Sequence, residues 1–392
     1  MGDFKGWNEE KMSILTAPNY APAVRRAFEN LIEKNQNRQT EQYGKPYIVT
    51  DWDNTAIIFD SQQSLFLYQA ENLCYRLTPE RLAEVIAMEL TPAQKAATEE
   101  LRRGIAGFYR ELYSRCEGLG GSEPLAAVQK SSAHAAFVQA MACLYKYPFG
   151  YVAECCRIVY LFAGYTIAEV KRLTEESIAR EQQIEPERRV YRYTADGQTL
   201  TAAYYVGLRF VPEQAEFFHK CMENGIDVYV CSASHEAVVQ VHAARYGIPP
   251  ENVLALAVDM DDSGKIAARI KAGVPMPIKA GKTEAIRRCL LPKHGREPLL
   301  VMGDSIGDVA MLTAFSAQGL ATNTRHLPSV LAAWREAGRK EEELLIQGRD
   351  EIRGEFRDGS ESVFCHPCNL QAGVSLVALP SKNLDGFVPR DK

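Results

Sequence analysis

Two carboxylates stand at the end of an apolar stretch in YIVTDWDNTAIIFD, residues 47–60. Asp51 and Asp53 are two positions apart, so on a strand their side chains point to the same face. Near the end of a buried strand such a pair is costly unless a positive charge lies between the carboxylates. The spacing therefore predicts that a cation is held there.

Three further polar groups follow apolar runs later in the chain. They are Cys231-Ser232-Ala233-Ser234, Gly281-Lys282, and Gly303-Asp304-Ser305-Ile306-Gly307-Asp308. In an open parallel sheet the carboxyl ends of the strands converge on one crevice, where ligands bind. We therefore expect all four groups to meet there and to bring together carboxylates, a lysine and a hydroxyl.

Each of these side chains has a chemical use at a phosphate ester. Clustered carboxylates repel one another unless a cation such as Mg²⁺ lies among them, and that metal can also hold a phosphate oxygen. A lysine, a hydroxyl and backbone N–H groups can bind the same phosphate. Asp51 is then the candidate nucleophile, which would form an aspartyl-phosphate. Asp53 is the candidate general acid for the leaving alcohol and general base for water.

The four groups, each after a predicted strand, resemble in order and content the four motifs of the haloacid dehalogenase superfamily of phosphohydrolases. The resemblance covers residues 47–60 and 206–325 by motif, and the segment between them by position alone. It implies that this segment is a cap that covers the site and reads the leaving group. It also implies a Rossmann-like core and Mg²⁺ as cofactor.

The resemblance assigns a role to each matching residue. The metal-ligand positions are Asp51, Asp53 (through its backbone carbonyl) and Asp304. The phosphate-binding positions are Ser232, Lys282 and Thr55, and Thr55 also orients its loop. The supporting positions are Asp308, which would hold a metal-bound water or the lysine, and Asn54. Lys279 competes for the lysine role, but the sequence GKTEAI at the start of a helix favours Lys282.

The second carboxylate also selects a class within the superfamily. Dehalogenases lack an acid at the position of Asp53, whereas phosphatases keep one because an alkoxide leaving group needs a proton. The sequences DWDNT, CSASHEAVV and GKTEAI are similar to those of phosphorylcholine phosphatases. Asp60 is the candidate that would contact a cationic end of the substrate. Gln62 and Gln63 depart from the acidic residues expected in choline-type enzymes.

Other functions and roles stay open. A phosphoserine phosphatase or a phosphotransferase could use the same intermediate, and a catalytically silent binding protein could share the fold. A P-type ATPase is disfavoured because its DKTGT sequence and many membrane helices are absent.

Some of the candidate residues also have a structural alternative. Ser232, Asp308 and Asp60 could each serve as helix-terminus residues. For Trp52 and for the tyrosines of residues 191–205, packing is favoured over contact with a substrate cation, and His235 is expected beside the site rather than in catalysis.

The pattern along the chain predicts an α/β protein with a doubly wound parallel sheet. Residues 1–60 would hold an N-terminal helix and the first core strand, and residues 61–205 a mainly helical cap that ends in a hairpin turning at Asp196-Gly197. Residues 206–345 alternate between strand and helix and complete the core. The role of the tail, residues 346–392, stays open.

Composition narrows the partners and the compartment. The chain has 392 residues, a net charge of −5 and scattered Lys and Arg residues, which argues against a nucleic-acid partner. Apolar runs stay short of the roughly 18 residues of a membrane helix, and a signal-peptide pattern is missing, so a cytoplasmic protein is expected. The alternative is an exported protein whose signal peptide is absent from this sequence.

The ten cysteines, including Cys365 and Cys368, are expected to be free thiols. The expected partner is a small phosphorylated metabolite, and the oligomeric state stays open.

Overall fold

The computed structural model describes residues 13–38 and 44–366. Its helices are α1 (Pro22–Asn35), α2 (Ser61–Asn72), α3 (Pro79–Val85), α4 (Pro92–Ala97), α5 (Glu99–Arg115), α6 (Leu125–Val128), α7 (Ser132–Tyr145), α8 (Tyr151–Tyr160), α9 (Ile167–Glu181), α10 (Pro212–Glu223), α11 (Glu236–Ala244), α12 (Ala280–Ala285), α13 (Leu291–His294), α14 (Val309–Thr313) and α15 (Leu327–Glu336). Its strands are β1 (Tyr47–Thr50), β2 (Ile57–Ile58), β3 (Glu187–Ala195), β4 (Gln198–Val206), β5 (Arg209–Phe210), β6 (Asp227–His235), β7 (Val253–Leu256), β8 (Val258–Met260), β9 (Ile266–Ile270), β10 (Leu300–Gly303), β11 (Gln318–Thr322), β12 (Leu344–Gln347), β13 (Arg349–Asp350) and β14 (Glu355–Phe356).

Six strands form one parallel sheet in the order β12-β11-β10-β1-β6-β7. In β1, Thr50 is aligned with Met302 of β10 on one side and with Val230 of β6 on the other. The chain builds outward from β1 in both directions, so the strand order reverses beside this strand. The carboxyl end of β1 is therefore where a crevice is expected in a doubly wound sheet.

Side chains of β1 alternate between two hydrophobic cores, because successive residues of a strand point to opposite faces. Ile48 packs on one face with α1, where Phe28 stacks on Phe217 of α10 with ring centroids 3.5 Å apart. Val49 packs on the other face with Trp334 of α15. Helices therefore cover both faces, and the predicted doubly wound α/β fold is confirmed.

The segment between β2 and β5 packs around a second hydrophobic cluster, built mainly by its helices and the hairpin β3-β4. Residues of α11 and of β7–β9, such as Val238 and Ile266, also belong to this cluster. The predicted hairpin is confirmed, and Asp196 and Gly197 at its turn have φ values of 49° and 70°. Ile57 of β2 is aligned with Phe210 of β5 in an antiparallel pair, so the insert leaves and re-enters the core through adjacent strands.

Several elements differ from the sequence-based expectation or extend it. Strand β6 continues through the polar group of residues 231–234 to His235, and β8 and β9 form a hairpin that the apolar pattern did not predict. Residues 346–366, part of the tail whose role the sequence left open, complete the edge strand β12 and add the pair β13-β14. Strand β12 has four residues, and β13 and β14 have two each, so these runs are too short for apolar periodicity to give a clear signal.

Two expectations about the whole chain can be compared with the described residues. Within residues 13–38 and 44–366, no helix is long and apolar enough to cross a bilayer. The nine cysteines in these ranges have free thiols. Cys365 is a free thiol, as expected. Cys368 lies outside the described residues, so the expectation for it is untested.

Candidate active site

The ends of β1 and β10 bring three buried carboxylates into one cluster. Asp51 follows β1, and Asp304 and Asp308 follow β10; one carboxylate oxygen of each lies within 4.8 Å of those of the other two. All three side chains are buried. The first and the fourth of the predicted polar groups therefore meet at the carboxyl ends of the strands.

Lys282 stands at the centre of this cluster. Its Nζ lies 2.5 Å from Asp51 Oδ1 and 2.6 Å from Asp308 Oδ1, and the residue is 3% exposed. The first residues of α12 direct this side chain into the crevice, whereas Lys279, one residue before the helix, is exposed. Lys282 is thus the lysine that meets the carboxylates.

Asp308 joins the lysine to the loop after β10. Its Oδ2 accepts hydrogen bonds from the backbone N–H of Asp304 at 3.1 Å and from the N–H and hydroxyl of Ser305, both at 3.0 Å. It stands at the N-cap position just before α14, but its side chain makes no cap hydrogen bond to that helix, so the alternative of a plain helix cap is wrong. A Cβ at Gly303 would lie 2.4 Å from Asp308 Cβ, so this close approach requires glycine.

Two threonine hydroxyls also contact the carboxylates. Thr55 Oγ1 lies 3.1 Å from Asp51 Oδ2 and 3.4 Å from Asp304 Oδ1. Thr324 Oγ1 lies 3.2 Å from Asp304 Oδ2. Sequence reasoning missed Thr324, although it follows the apolar residues of β11 and the strand-end rule could have found it.

The three buried carboxylates carry more negative charge than the one lysine can balance, so a divalent cation fits among them. Burial and then Asp308 raise the pKa of Asp51 to about 6, against the opposing effect of Lys282. Burial, Asp308 and Asp51 raise the pKa of Asp304 well above its usual value. Three carboxylates face one lysine, and a hard divalent ion with oxygen ligands would neutralise the excess.

Asp53 lies outside the three-carboxylate cluster and has its own partners. Its Oδ1 accepts a hydrogen bond from the N–H of Ser61 at 2.7 Å, and its Oδ2 one from the hydroxyl of Ser234 at 2.6 Å. Burial and then Asp60 raise the pKa of Asp53 to about 8. The two residues of the DxD pair therefore have different environments. Ser234 lies in the predicted second motif, but its contact with Asp53 was not predicted.

Ser232 is buried at the end of the apolar part of β6. Its Oγ accepts a hydrogen bond from the N–H of Ser234 at 3.2 Å. The cap of α11 is instead His235, whose Nδ1 accepts from the N–H of Ala237 at 3.1 Å, so the alternative of Ser232 as a helix cap is wrong. Burial lowers the pKa of His235 to about 4, so its ring is neutral at pH 7.

Asp60 and Trp52 both take the structural role that sequence reasoning weighed against a functional one. Asp60 caps α2: its Oδ1 accepts from the N–H of Gln63 at 2.8 Å, and its Oδ2 from the side-chain amide of Gln63 at 2.6 Å. Trp52 is fully buried, and its ring lies 5.5 Å from that of Tyr246. The expectation of core packing for Trp52 is confirmed.

The insert brings a lysine that sequence reasoning missed to the side of Asp60. Lys146 Nζ lies 5.1 Å from the ring centroid of Tyr204, in the predicted tyrosine-rich hairpin. Lys146 is exposed, yet the protein around its ammonium lowers the pKa of this group, and Asp60 opposes that effect. Tyr204 itself is buried, and its hydroxyl donates to Ala142 O, so packing of the hairpin is confirmed for this residue.

The relatives of the chain agree with this architecture. Residues 128–313 match the family model of haloacid dehalogenase-like hydrolases. The phosphorylcholine phosphatase of Pseudomonas aeruginosa is 30% identical over 250 residues, which are 60% of this chain and 54% of that protein. The chain thus spans about half the length of the curated relative that it matches.

One solved structure shares the fold over nearly the whole chain. A conserved protein of unknown function from Anaerococcus prevotii superimposes with a TM-score of 0.79 and 25% identity, over 90% of this chain and 99% of that one. The sequence resemblance that the four motifs indicate is confirmed by the family match over residues 128–313 and by the curated relative.

Proposed function

We propose that the protein is a Mg²⁺-dependent phosphomonoesterase that hydrolyses a small phosphorylated metabolite through an aspartyl-phosphate on Asp51. The observation that carries this proposal is the buried contact of Asp51 with Lys282, at 2.5 Å, inside a cluster of three carboxylates. A carboxylate beside a fixed positive charge can approach a phosphate dianion, because the lysine offsets the repulsion between them. The similarity to a phosphorylcholine phosphatase supports the same reaction class.

In the first step a carboxylate oxygen of Asp51 attacks phosphorus, and the bond from phosphorus to the ester oxygen breaks. The departing oxygen takes a proton from Asp53. The pKa of Asp53, raised to about 8, supports this role because the carboxyl group then carries a proton at neutral pH. Lys282 and the hydroxyl of Ser232 bind the phosphoryl oxygens.

In the second step Asp53, now a carboxylate, accepts a proton from water while the water oxygen attacks phosphorus. The bond between phosphorus and Asp51 breaks, which releases inorganic phosphate and restores the Asp51 carboxylate. Thr55 keeps Asp51 oriented through both steps by the contact at 3.1 Å. The same intermediate could pass its phosphoryl group to another acceptor, as in a phosphotransferase.

Asp51, Asp304 and the backbone carbonyl of Asp53 would hold the metal, and Asp308 would support them. Bound Mg²⁺ would polarise the phosphoryl group and neutralise charge that develops on it. The donor set fits this ion because it consists of oxygens, and because the carboxylates at the site outnumber the lysine.

Phosphocholine and phosphoethanolamine are candidate substrates, with a cationic group that Asp60 would face. A specific observation favours a second candidate, an ester whose alcohol carries an anionic group, as in phosphoserine. Lys146 lies over the ring of Tyr204 and near Asp60, whose oxygens already accept from Gln63. An ammonium in that position attracts an anionic group and repels a quaternary ammonium.

The test measures phosphate release with Mg²⁺ from phosphocholine, phosphoethanolamine, phosphoserine and an aryl phosphate. Asp51→Asn should lose about a thousandfold or more in kcat, since the nucleophile is gone. Asp262→Asn, the same change at an exposed position, should match wild type. Equal activity of Asp51→Asn and wild type would remove Asp51 as nucleophile. Ligand binding without phosphate release would favour the silent binding protein.

A further inference from the structure

A buried arginine from the C-terminal segment binds the turn that carries the DxD motif. Arg349 in β13 is 1% exposed. Its Nη1 donates to the backbone carbonyl of Asn54 at 2.7 Å, and its Nη2 lies 3.2 Å from Asn54 Oδ1. Asn54 directly follows Asp53, so one guanidinium holds both the backbone and the side chain of the residue beside the candidate acid.

The turn needs such support because of its backbone conformation. Asn54 has φ of 61°, in the left-handed region that L-residues rarely adopt. Its N–H donates to Phe59 O at 3.0 Å, which closes the turn. The φ and ψ of Asn54 decide how Asp53 on one side and Thr55 on the other are directed. A strained residue of this kind persists only where its surroundings hold it.

The guanidinium is itself fixed by a fully buried carboxylate. Arg349 Nη2 donates to Glu351 Oε1 at 2.8 Å. Arg325 binds both oxygens of Glu351, at 2.7 and 2.8 Å, and its guanidinium lies between the rings of Tyr205 and Phe364, 4.2 and 4.4 Å from their centroids. Two arginines on one carboxylate leave Arg349 little freedom to turn away from Asn54.

We infer that Arg349, held by Glu351 and Arg325, is a positioning residue for the proton transfer by Asp53. This inference rests on the proposed phosphatase function. Arg349 contacts the backbone next to the acid rather than the substrate, so it acts through the direction in which the Asp53 carboxyl group points. The proton of Asp53 matters most when the leaving oxygen is strongly basic.

Two esters separate this role from a loss of stability. An aryl phosphate has a weakly basic leaving oxygen, whereas an alkyl phosphate needs the proton. Asp53→Asn removes the acid itself. Its ratio of kcat for the alkyl ester to kcat for the aryl ester should therefore fall furthest below the wild-type ratio. Arg349→Met should lower kcat for the alkyl ester about tenfold more than for p-nitrophenyl phosphate. Arg353→Met, in the same segment with a side chain 73% exposed, should leave both values unchanged.

Asn54→Gly gives a second variant if Arg349→Met does not fold. Glycine tolerates the positive φ but removes the Oδ1 contact and frees the turn, so the same selective loss on the alkyl ester is expected. Equal losses on the two esters, or wild-type rates in both variants, would overturn the inference while leaving the phosphatase proposal intact. A wild-type protein that hydrolyses neither ester would overturn both.

Discussion

Lys282 and Asp51 are 231 residues apart in the sequence, yet Lys282 Nζ lies 2.5 Å from Asp51 Oδ1, with both side chains buried. Asp308 places a second carboxylate oxygen 2.6 Å from the same nitrogen. The contact joins the first and third motifs across the sheet. Because both carboxylates are buried, the stability of the folded protein depends on the positive charge of this lysine.

Removal of this lysine should destabilise the metal-free protein. Lys282→Met leaves Asp51 and Asp308 buried without their positive partner, and the expected loss in the free energy of unfolding is roughly 3–5 kcal/mol. Urea unfolding at pH 7 with a chelator measures it. Lys130→Met, at an exposed lysine of the insert, should change stability by less than about 0.5 kcal/mol. A similar effect of the two substitutions would contradict this account of the cluster.

Mg²⁺ should stabilise the folded protein through the carboxylate cluster. At a free concentration 100 times the dissociation constant, a ligand that binds only the folded state adds about 2.7 kcal/mol. Asp304→Asn removes a charged ligand and should abolish most of the rise in Tm on addition of Mg²⁺. Asp262→Asn, at an exposed position, should keep it. An equal rise in both variants would place the Mg²⁺ effect elsewhere.

The buried carboxylate of Glu351 should make stability depend on pH. Burial acts to raise its pKa, but Arg349 and Arg325 outweigh that effect and hold the pKa at about 2, against an ordinary 4.5. The carboxylate form is thus favoured in the folded protein. Its contribution is complete above about pH 4.5 and is lost as the pH falls through about 2.

The matching experiment compares wild type with Glu351→Gln in urea unfolding between pH 3 and 7. The gap in unfolding free energy should shrink by roughly 1.4 kcal/mol for each pH unit below about 4.5, since the shift corresponds to roughly 3 kcal/mol in all. Glu342→Gln, an exposed substitution, should change stability little. A gap that is constant with pH would show that the arginines do not lower the pKa of Glu351.

Lys146 should influence the choice of leaving group. Lys146→Met removes the positive charge beside the Tyr204 ring, so kcat/KM for phosphocholine should rise relative to that for phosphoserine, by about tenfold for an interaction of 1.4 kcal/mol. Lys130→Met, at an exposed lysine of the insert, should leave the ratio unchanged. An unchanged ratio in Lys146→Met would place the leaving group away from this lysine.

The sequence by itself determined the sheet class and the residues of the central cluster. Asp51, Asp304 and Asp308 follow strand ends that apolar runs mark plainly, and parallel strands must bring such ends together. Lys282 was also identified, but it enters from the helix α12 and not from a strand end. The turn at Asp196-Gly197 was equally readable because that dipeptide accepts two positive φ values.

Only the tertiary structure decided which residues contact the DxD turn from distant parts of the chain. Arg349 reaches Asn54 across 295 residues, and Ser234 reaches Asp53 across 181 residues. Neither contact follows from the spacing of residues along one element. Packing of the helices of the insert against the hairpin likewise brings Lys146 to the ring of Tyr204. Side-chain periodicity encodes the face of an element, whereas the partner that meets this face is selected by packing and burial over the whole chain.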